Sequence, residues 1–263
     1  MSPLFIKAVS KEVEKEYAGN FAMAIMKDGK VEKEWFYTKN KNINRNTIFQ
    51  VASLSKFVSA AGVMKLVELE KINLDTLVNR YLKRWQLPIS QFDNQQVTVR
   101  KLLSHNAGLT DELGYVGFEN RDSVLTIESS LTKTKDADIG ISGEVKVGVE
   151  PGSKWQYSGG GFTILQLLVE ETSGQSFDAF MKDSIFKPLN TTSSNYLWND
   201  SLNYRLCKFY NTDQSPAPHH YYTSLAATSL YTSLADLEKF FQLFLKGTNN
   251  EPAGRGILSP ATL

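Results

Sequence analysis

Two short stretches near the start have β-strand patterns, in a chain whose other patterns are mostly helical. Phe21 to Met26 is a continuous apolar run, Asp28-Gly29 is a tight-turn signal, and Val31 to Tyr37 supplies a partner strand. A two-stranded hairpin is only marginally stable by itself. The hairpin must therefore belong to a larger sheet, and the rest of the sequence shows no other obvious strand to complete it.

Helical patterns fill most of the remaining sequence. The strongest runs from Ser53 to Ile72, where Ser53 can cap the helix and apolar residues recur at helical spacing. A second strong helix is predicted from Phe162 to Thr172, after three glycines and before Ser173-Gly174. Weaker helical segments are predicted at the N-terminus and over about 98–104, 177–186 and 234–245.

These patterns favour an α+β fold, in which an α/β sandwich carries a helical lobe at about residues 73–190. Residues 110–150 are predicted to be loop-rich. The length of 263 residues fits a single domain over 1–263, since a core of that size can be shared by two lobes.

Composition excludes several classes of function. Hydrophobic residues make up 41% and charged residues 22%, as in an ordinary globular protein. The formal net charge is +1 and no long basic run occurs, so we expect no nucleic-acid partner. No apolar run reaches the roughly 18 residues of a membrane span. The start lacks the apolar core of a signal peptide, so either the protein is cytoplasmic or the chain begins after a removed export signal.

Cysteine and histidine offer little for catalysis or metal binding. The single cysteine, Cys207, cannot form an internal disulfide and is interpreted as a small buried apolar residue. His105 is expected to order the turn after its helix. His219 and His220 lack carboxylates at metal-binding spacing and are expected in a solvated loop. We expect no metal and no cofactor, and no Gly-x-Ser-x-Gly segment supports a Ser-His-Asp triad.

Ser-x-x-Lys pairs place a hydroxyl and an amine on one face of a helix, because positions three apart are neighbours. A partly desolvated lysine can then be neutral and take a proton from the serine. Three such pairs occur, and at least two must be accidental: Ser53/Lys56, Ser130/Lys133 and Ser184/Lys187. Ser53 differs in starting a long apolar helix, whose dipole favours negative charge. On spacing alone, a helix cap beside a solvated lysine remains an alternative.

The segment from Ile48 to Lys56 resembles the nucleophile segment of class C β-lactamases and of related penicillin-binding proteins and esterases. Four further segments resemble motifs of the same family in the same order, at residues 66–75, 99–109, 151–162 and 226–237. These five motifs extend over nearly the whole chain. The chain is therefore identified as a member of this family, and the resemblance implies a β-lactamase/transpeptidase-like fold.

The resemblance also implies catalytic roles. Ser53 would be the nucleophile of an acyl-enzyme, and Lys56 and Tyr157 would handle its protons. Gly159 stands where the family often has a substrate-holding asparagine, and Tyr222 suits the substrate cleft and core packing about equally. Both are candidate substrate-binding residues. Expected substrates are D-Ala-D-Ala-type peptides, β-lactams or small esters, with efficient β-lactam hydrolysis less favoured because of Gly159. The alternative is a non-catalytic relative that binds peptidoglycan-like peptides or a protein partner.

One family motif is absent from the sequence. A Lys-Thr-Gly or His-x-Gly motif usually follows on a later strand and supplies the other oxyanion donor, but none follows Leu237. We therefore expect that the chain lacks a C-terminal part of the parent domain and is nearly inactive alone. By resemblance the parent protein would be periplasmic or secreted. Its oligomeric state is left open.

Overall fold

Helices dominate the observed architecture. The computed structural model describes residues 3–16, 19–38, 42–111, 114–137 and 143–263. Over these residues the helices are α1 Pro3–Glu16, α2 Leu54–Glu68, α3 Val99–Leu103, α4 Ile127–Thr132, α5 Gly159–Ser173, α6 Phe177–Met181, α7 Leu225–Thr228 and α8 Leu234–Gln242. The strands are β1 Asn20–Lys27, β2 Lys30–Thr38, β3 Ile48–Gln50 and β4 Tyr231–Ser233. Within these ranges no helix is both long and apolar enough to cross a membrane.

The predicted hairpin is confirmed. β1 and β2 pair antiparallel with Phe21 opposite Tyr37, and an irregularity in register follows Ile25. A second antiparallel pair, β3 with β4, places Gln50 opposite Tyr231. Sequence patterns missed this second pair because each strand has only three residues, too few to show an alternation.

Helix α2 begins where predicted but ends at Glu68 rather than Ile72. The prediction that Ser53 caps it was wrong. Ser53 has helical φ and ψ of −66° and −10°, and its side chain makes no capping hydrogen bond. The hydroxyl is thereby left to bond to other side chains.

Helix α5 runs through the centre of the molecule. It is buried over its first eleven residues, 159–169, which are apolar except for Thr163 and Gln166. The prediction placed its start at Phe162, whereas the three glycines form its first turn and Ser158 caps it by accepting the Gly161 N–H. Gly174, with φ +74°, ends the helix.

Gly160, in the first turn of α5, permits the segments that carry Val145 and Asp111 to approach the helix closely. A Cβ on Gly160 would lie 2.6 Å from Cγ2 of Val145 and 2.7 Å from Oδ2 of Asp111. A Cβ on Gly161 would meet its nearest neighbour, Ser158 Oγ, at 3.1 Å. Of these two glycines, Gly160 is therefore the one whose surroundings leave less room for a side chain.

One core joins the helices of the predicted lobe to α2 and α8. Buried side chains from all of these elements form a continuous apolar cluster: Val58, Leu66, Val99, Leu102, Leu131, Ile164, Leu168, Phe180, Ile185 and Phe240 are among its members. The polar segment 110–150 contains α4, which was not predicted, and lies partly outside the described residues. The single-domain organisation and lobe boundaries near 73 and 190 stay a prediction.

His219 does not lie in a solvated loop, as the sequence had suggested. Its ring is half-buried among aromatic side chains, stacked on Phe209 at 5.5 Å, and its Nε2 lies 2.6 Å from the Tyr231 hydroxyl. A polar histidine is accommodated there because its ring is surrounded and its nitrogen is bonded. Among the described residues no cluster of three or more histidine, cysteine or acidic side chains could hold a metal.

Asp136 is a buried carboxyl group. It is 2% exposed, and in the described part of the chain neither carboxyl oxygen makes a hydrogen bond. Burial raises its pKa to about 6. The folded state therefore holds this proton more tightly than the unfolded chain, whose aspartates have a pKa near 3.9. Stability is lost as the pH rises from about 4 through about 6.

We expect Gly160→Ala to destabilise the protein by about 1–3 kcal/mol, the usual cost of overpacking a filled interior. Gly161→Ala, its matched control, should cost less, because the added methyl meets a contact that is several tenths of an ångström longer. Urea denaturation of both variants measures the difference. Equal losses would contradict the packing explanation for Gly160.

We expect Asp136→Asn to alter the pH dependence of stability. The asparagine variant cannot ionise, so relative to wild type it should gain up to about 3 kcal/mol between about pH 4 and about pH 8. Chemical denaturation across that range provides the measurement. A difference between the two proteins that is the same at every pH would show that Asp136 does not titrate in the folded state as proposed.

Candidate active site

Three predicted side chains, from two separate parts of the sequence, meet at the start of α2. The hydroxyl oxygen of Ser53 lies 3.2 Å from Nζ of Lys56 and 2.8 Å from the hydroxyl of Tyr157. Ser53 is exposed, Lys56 is buried and Tyr157 is half-buried. The arrangement therefore presents a serine to solvent with two proton-exchanging groups behind it.

Lys56 occupies an unusual environment for a lysine. The residue is 7% exposed, and its ammonium donates to the carbonyl of Ala227 at 2.8 Å. Nζ also lies 4.8 Å from the ring centre of Tyr157. Burial lowers the pKa of Lys56, while Tyr157 and the Asp111 carboxylate oppose that effect. A lowered pKa makes the neutral amine, which can accept a proton, easier to reach.

The backbone at Ser53 adds a second chemical feature. Within the described residues the Ser53 N–H makes no hydrogen bond, although the following N–H groups of the first helical turn are all paired. An unpaired N–H at a helix start favours negative charge. This N–H is thus available as one donor to an oxyanion formed beside Ser53.

His105 holds the segment that carries Tyr157. The sequence predicted only that His105 orders the turn after its own helix. Its carbonyl accepts the Gln156 N–H at 2.8 Å and its Nδ1 accepts the Ser158 N–H at 3.1 Å. Its ring lies 4.6 Å from that of Tyr157. Burial and the charge of Lys56 lower the pKa of His105 to about 4. The imidazole is therefore neutral near pH 7 and is not a second cation in the site.

Asp111 was missed by the sequence interpretation. It is fully buried and accepts the Ser158 hydroxyl at 2.6 Å and the Gly160 N–H at 2.5 Å. These bonds fix the chain immediately after Tyr157. The one feature of the sequence that could have pointed to Asp111 is its position two residues after the family-like segment 99–109.

The two predicted substrate-binding residues lie at different places. Gly159 is buried at the first position of α5, and its carbonyl accepts the Thr163 hydroxyl at 3.2 Å. Tyr222 packs against Gly117, where an added Cβ would meet its ring at 2.8 Å. Burial and the nearby Asp136 carboxyl raise the pKa of Tyr222. The hydrogen bonds that join Ser53, Lys56 and Tyr157 include neither residue.

The other two Ser-x-x-Lys pairs have ordinary structural environments. Ser130 is buried and its hydroxyl lies 3.4 Å from that of Thr134. In the third pair Lys187 is bound to Asp183 at 2.6 Å, one turn before it on the same helix. Neither lysine makes a hydrogen bond to its serine, unlike Lys56.

Thr228 and Ser229, which follow the Ala227 carbonyl that Lys56 binds, fit without strain. Ser229 has φ of −98°, so no left-handed conformation is needed. Its hydroxyl donates to the carbonyl of Tyr196 at 3.0 Å. These bonds help to hold the segment beside Lys56.

An apolar rim borders the exposed serine. Leu54, next in sequence, is 55% exposed, and Trp155 is 65% exposed with its ring 6.3 Å from that of Tyr157. Large apolar side chains at the mouth of a site are suited to contact an apolar part of a ligand.

Solved structures share this fold. The octameric penicillin-binding protein homologue from Pyrococcus abyssi superposes with a TM-score of 0.73 at 21% identity, covering 96% of this chain and 58% of that chain. A β-lactamase/D-alanine carboxypeptidase from Pseudomonas syringae gives 0.71 at 17% identity, covering 96% of this chain and 67% of that chain.

Proteins similar in sequence point to the same family as the solved structures. Penicillin-binding protein 4* of Bacillus subtilis (strain 168) is 34% identical over 151 residues, which are 57% of this chain and 31% of that protein. The chain spans less than half the length of this curated relative and of the similar Protein flp from Staphylococcus aureus. A sequence model described as Beta-lactamase matches residues 5–263. The chain therefore belongs to the Beta-lactamase family, a family of serine hydrolases of the β-lactamase and penicillin-binding-protein type.

Proposed function

We propose that this protein hydrolyses acyl substrates through a covalent intermediate on Ser53. The observation that supports this most directly is the position of one exposed hydroxyl within hydrogen-bonding distance of both Lys56 and Tyr157. A nucleophile, a base and a second proton-carrying group are the minimum set for acyl transfer by serine.

The chemistry begins with the neutral form of Lys56. As Ser53 Oγ bonds to the substrate carbonyl carbon, its proton passes to Lys56 Nζ. The oxyanion that forms accepts a hydrogen bond from the Ser53 N–H. The phenol of Tyr157 gives its proton to the leaving group and regains one from the Lys56 ammonium. The carbonyl–leaving group bond then breaks, which leaves an ester on Ser53. Water releases the acid by the reverse proton movements.

Substrate class follows from the site and from the relatives. The Pseudomonas neighbour is described as a β-lactamase and D-alanine carboxypeptidase, which makes D-Ala-D-Ala-type peptides and β-lactams candidates. Small esters are equally candidates, because Gly159 offers no side-chain amide and the rim of Leu54 and Trp155 is apolar. Such a protein would act in the periplasm or outside the cell, on a small-molecule or peptide substrate, and would need no cofactor.

Labelling identifies the nucleophile. We expect a fluorophosphonate reagent to modify the full-length protein on the tryptic peptide that contains Ser53, as read by mass spectrometry. The Ser53→Ala variant should remain unlabelled. An adduct on Ser130 or Ser184 would refute the assignment. A folded protein that carries no adduct would instead favour the non-catalytic, peptide-binding alternative.

Removal of either proton-handling group should slow turnover. We expect Lys56→Ala and Tyr157→Phe each to lower kcat on a nitrophenyl ester by about 10²-fold or more, the usual scale for loss of general acid–base help. Lys65→Ala is the matched control, since this lysine of the same helix donates to the carbonyl of Ile257. Tyr81→Phe removes a hydroxyl that accepts the Asn73 N–H away from the site. Turnover near wild type in Tyr157→Phe would exclude the phenol from the mechanism.

A further inference from the structure

Ala52, immediately before the proposed nucleophile, has a backbone conformation that residues with a side chain rarely adopt. Its φ is +44°. Contact between Cβ and the backbone disfavours this left-handed region, which glycine enters freely. Such a conformation persists only where the surroundings hold it. Since Ser53 follows directly and begins the helix, the turn at Ala52 decides where the Ser53 hydroxyl points.

The hydroxyl of Ser55 holds this turn from within. Ser55 is fully buried, and its Oγ–H donates to the carbonyl of Ala52 at 2.5 Å. The same oxygen accepts the N–H of Leu230 at 2.9 Å. The Ala52 carbonyl also accepts a hydrogen bond from the Ser55 N–H at 2.9 Å. One side chain therefore connects the left-handed residue to a segment 175 positions away in sequence.

The backbone of Leu230 forms hydrogen bonds with residues on both sides of the Ala52 turn. Its carbonyl accepts the Val51 N–H at 2.9 Å, before the turn, and its N–H donates to Ser55 Oγ, after the turn. Leu230 is 1% exposed and immediately precedes β4, whose first residue pairs with Gln50. A buried, strand-anchored backbone thus provides the fixed support against which residues 51–55 are held.

We propose that Ser55 is a positioning residue: its hydroxyl keeps Ala52 left-handed and so keeps Ser53 Oγ within reach of Lys56 and Tyr157. This inference rests on the proposed function. Ser55 contacts neither substrate nor a reacting atom, and acts through Ala52 and Leu230. Its loss should therefore lower kcat more than it changes KM. The pH profile of turnover should keep its shape, because Lys56 and Tyr157 remain.

Ser59 provides a matched control. It lies one helical turn after Ser55, is equally buried, and donates to the backbone carbonyl of Ala226 at 2.9 Å. Its hydroxyl also lies 2.7 Å from that of Tyr196. Ser59 therefore also bonds to the backbone of the neighbouring segment, as a donor where Ser55 is an acceptor, and among the residues that the structure describes its hydroxyl makes no hydrogen bond to Ala52.

The test compares Ser55→Ala with Ser59→Ala in the full-length protein. Both should lower the melting temperature by similar amounts. Labelling of Ser53 by a fluorophosphonate should slow at least about tenfold in Ser55→Ala, since small misplacements of a nucleophile cost large factors, and stay within about twofold in Ser59→Ala. Adding Ala52→Gly to Ser55→Ala should restore most of the rate, because glycine needs no support at positive φ. Equal rates in the two serine variants would overturn the inference.

Should Ser55→Ala fail to fold, Ser55→Thr and Ser55→Val replace it. These two side chains have nearly the same shape and differ in one hydroxyl. The steric cost of the added methyl is common to both and cancels in the comparison. Labelling in Ser55→Thr should be at least about tenfold faster than in Ser55→Val. The same rate in both would show that the hydroxyl does not position Ser53.

A crystal structure of the Ser55 variant separates this inference from the proposed function. If wild-type Ser53 is never labelled, the proposed function fails, and the structures still decide the role of Ser55. Loss of the positive φ at Ala52, with Ser53 Oγ displaced from its 3.2 Å distance to Lys56 Nζ, supports the role. An unchanged turn in the variant, with both atoms in place, overturns it.

Discussion

The site depends on the hydrogen bond that the buried ammonium of Lys56 makes to the backbone. A charge removed from water must be compensated by hydrogen bonds, and the carbonyl of Ala227 supplies one of them. That carbonyl is available because α7 packs against α2 and ends there. The same burial lowers the pKa of the lysine, so the packing that makes its charged form costly also makes the neutral, proton-accepting amine easier to reach.

Polar contacts between α2 and the segment 226–230 have a common form. Ser55, Lys56 and Ser59 all bond to backbone groups of this segment rather than to its side chains. Such bonds require a certain backbone path and leave the side chains free to vary. The geometry around Ser53 therefore depends on the backbone path of this segment and not on side chains such as that of Thr228.

Tyr157 reaches the site by a different route. It lies outside regular structure, between a loop and α5, and is held by its neighbours in sequence: His105 binds the amides on both sides, and Asp111 binds Ser158. The close packing at Gly160 brings the start of α5 against Asp111. A tyrosine in a loop is therefore placed as firmly as one on a helix, by buried hydrogen bonds to the backbone around it.

The sequence by itself determined the local elements and the candidate residues. The hairpin, the two long helices and the set of Ser53, Lys56 and Tyr157 follow from periodicity, turn residues and ordered family-like segments, which are local or nearly local signals. Tertiary structure decided the rest. Strands β3 and β4 are too short to show a pattern, and the start of α5 packs against Asp111 and Val145 at Gly160, a contact that the sequence does not show. The left-handed turn at Ala52 needs a partner 178 residues later in the chain, Leu230, which no local propensity can reveal.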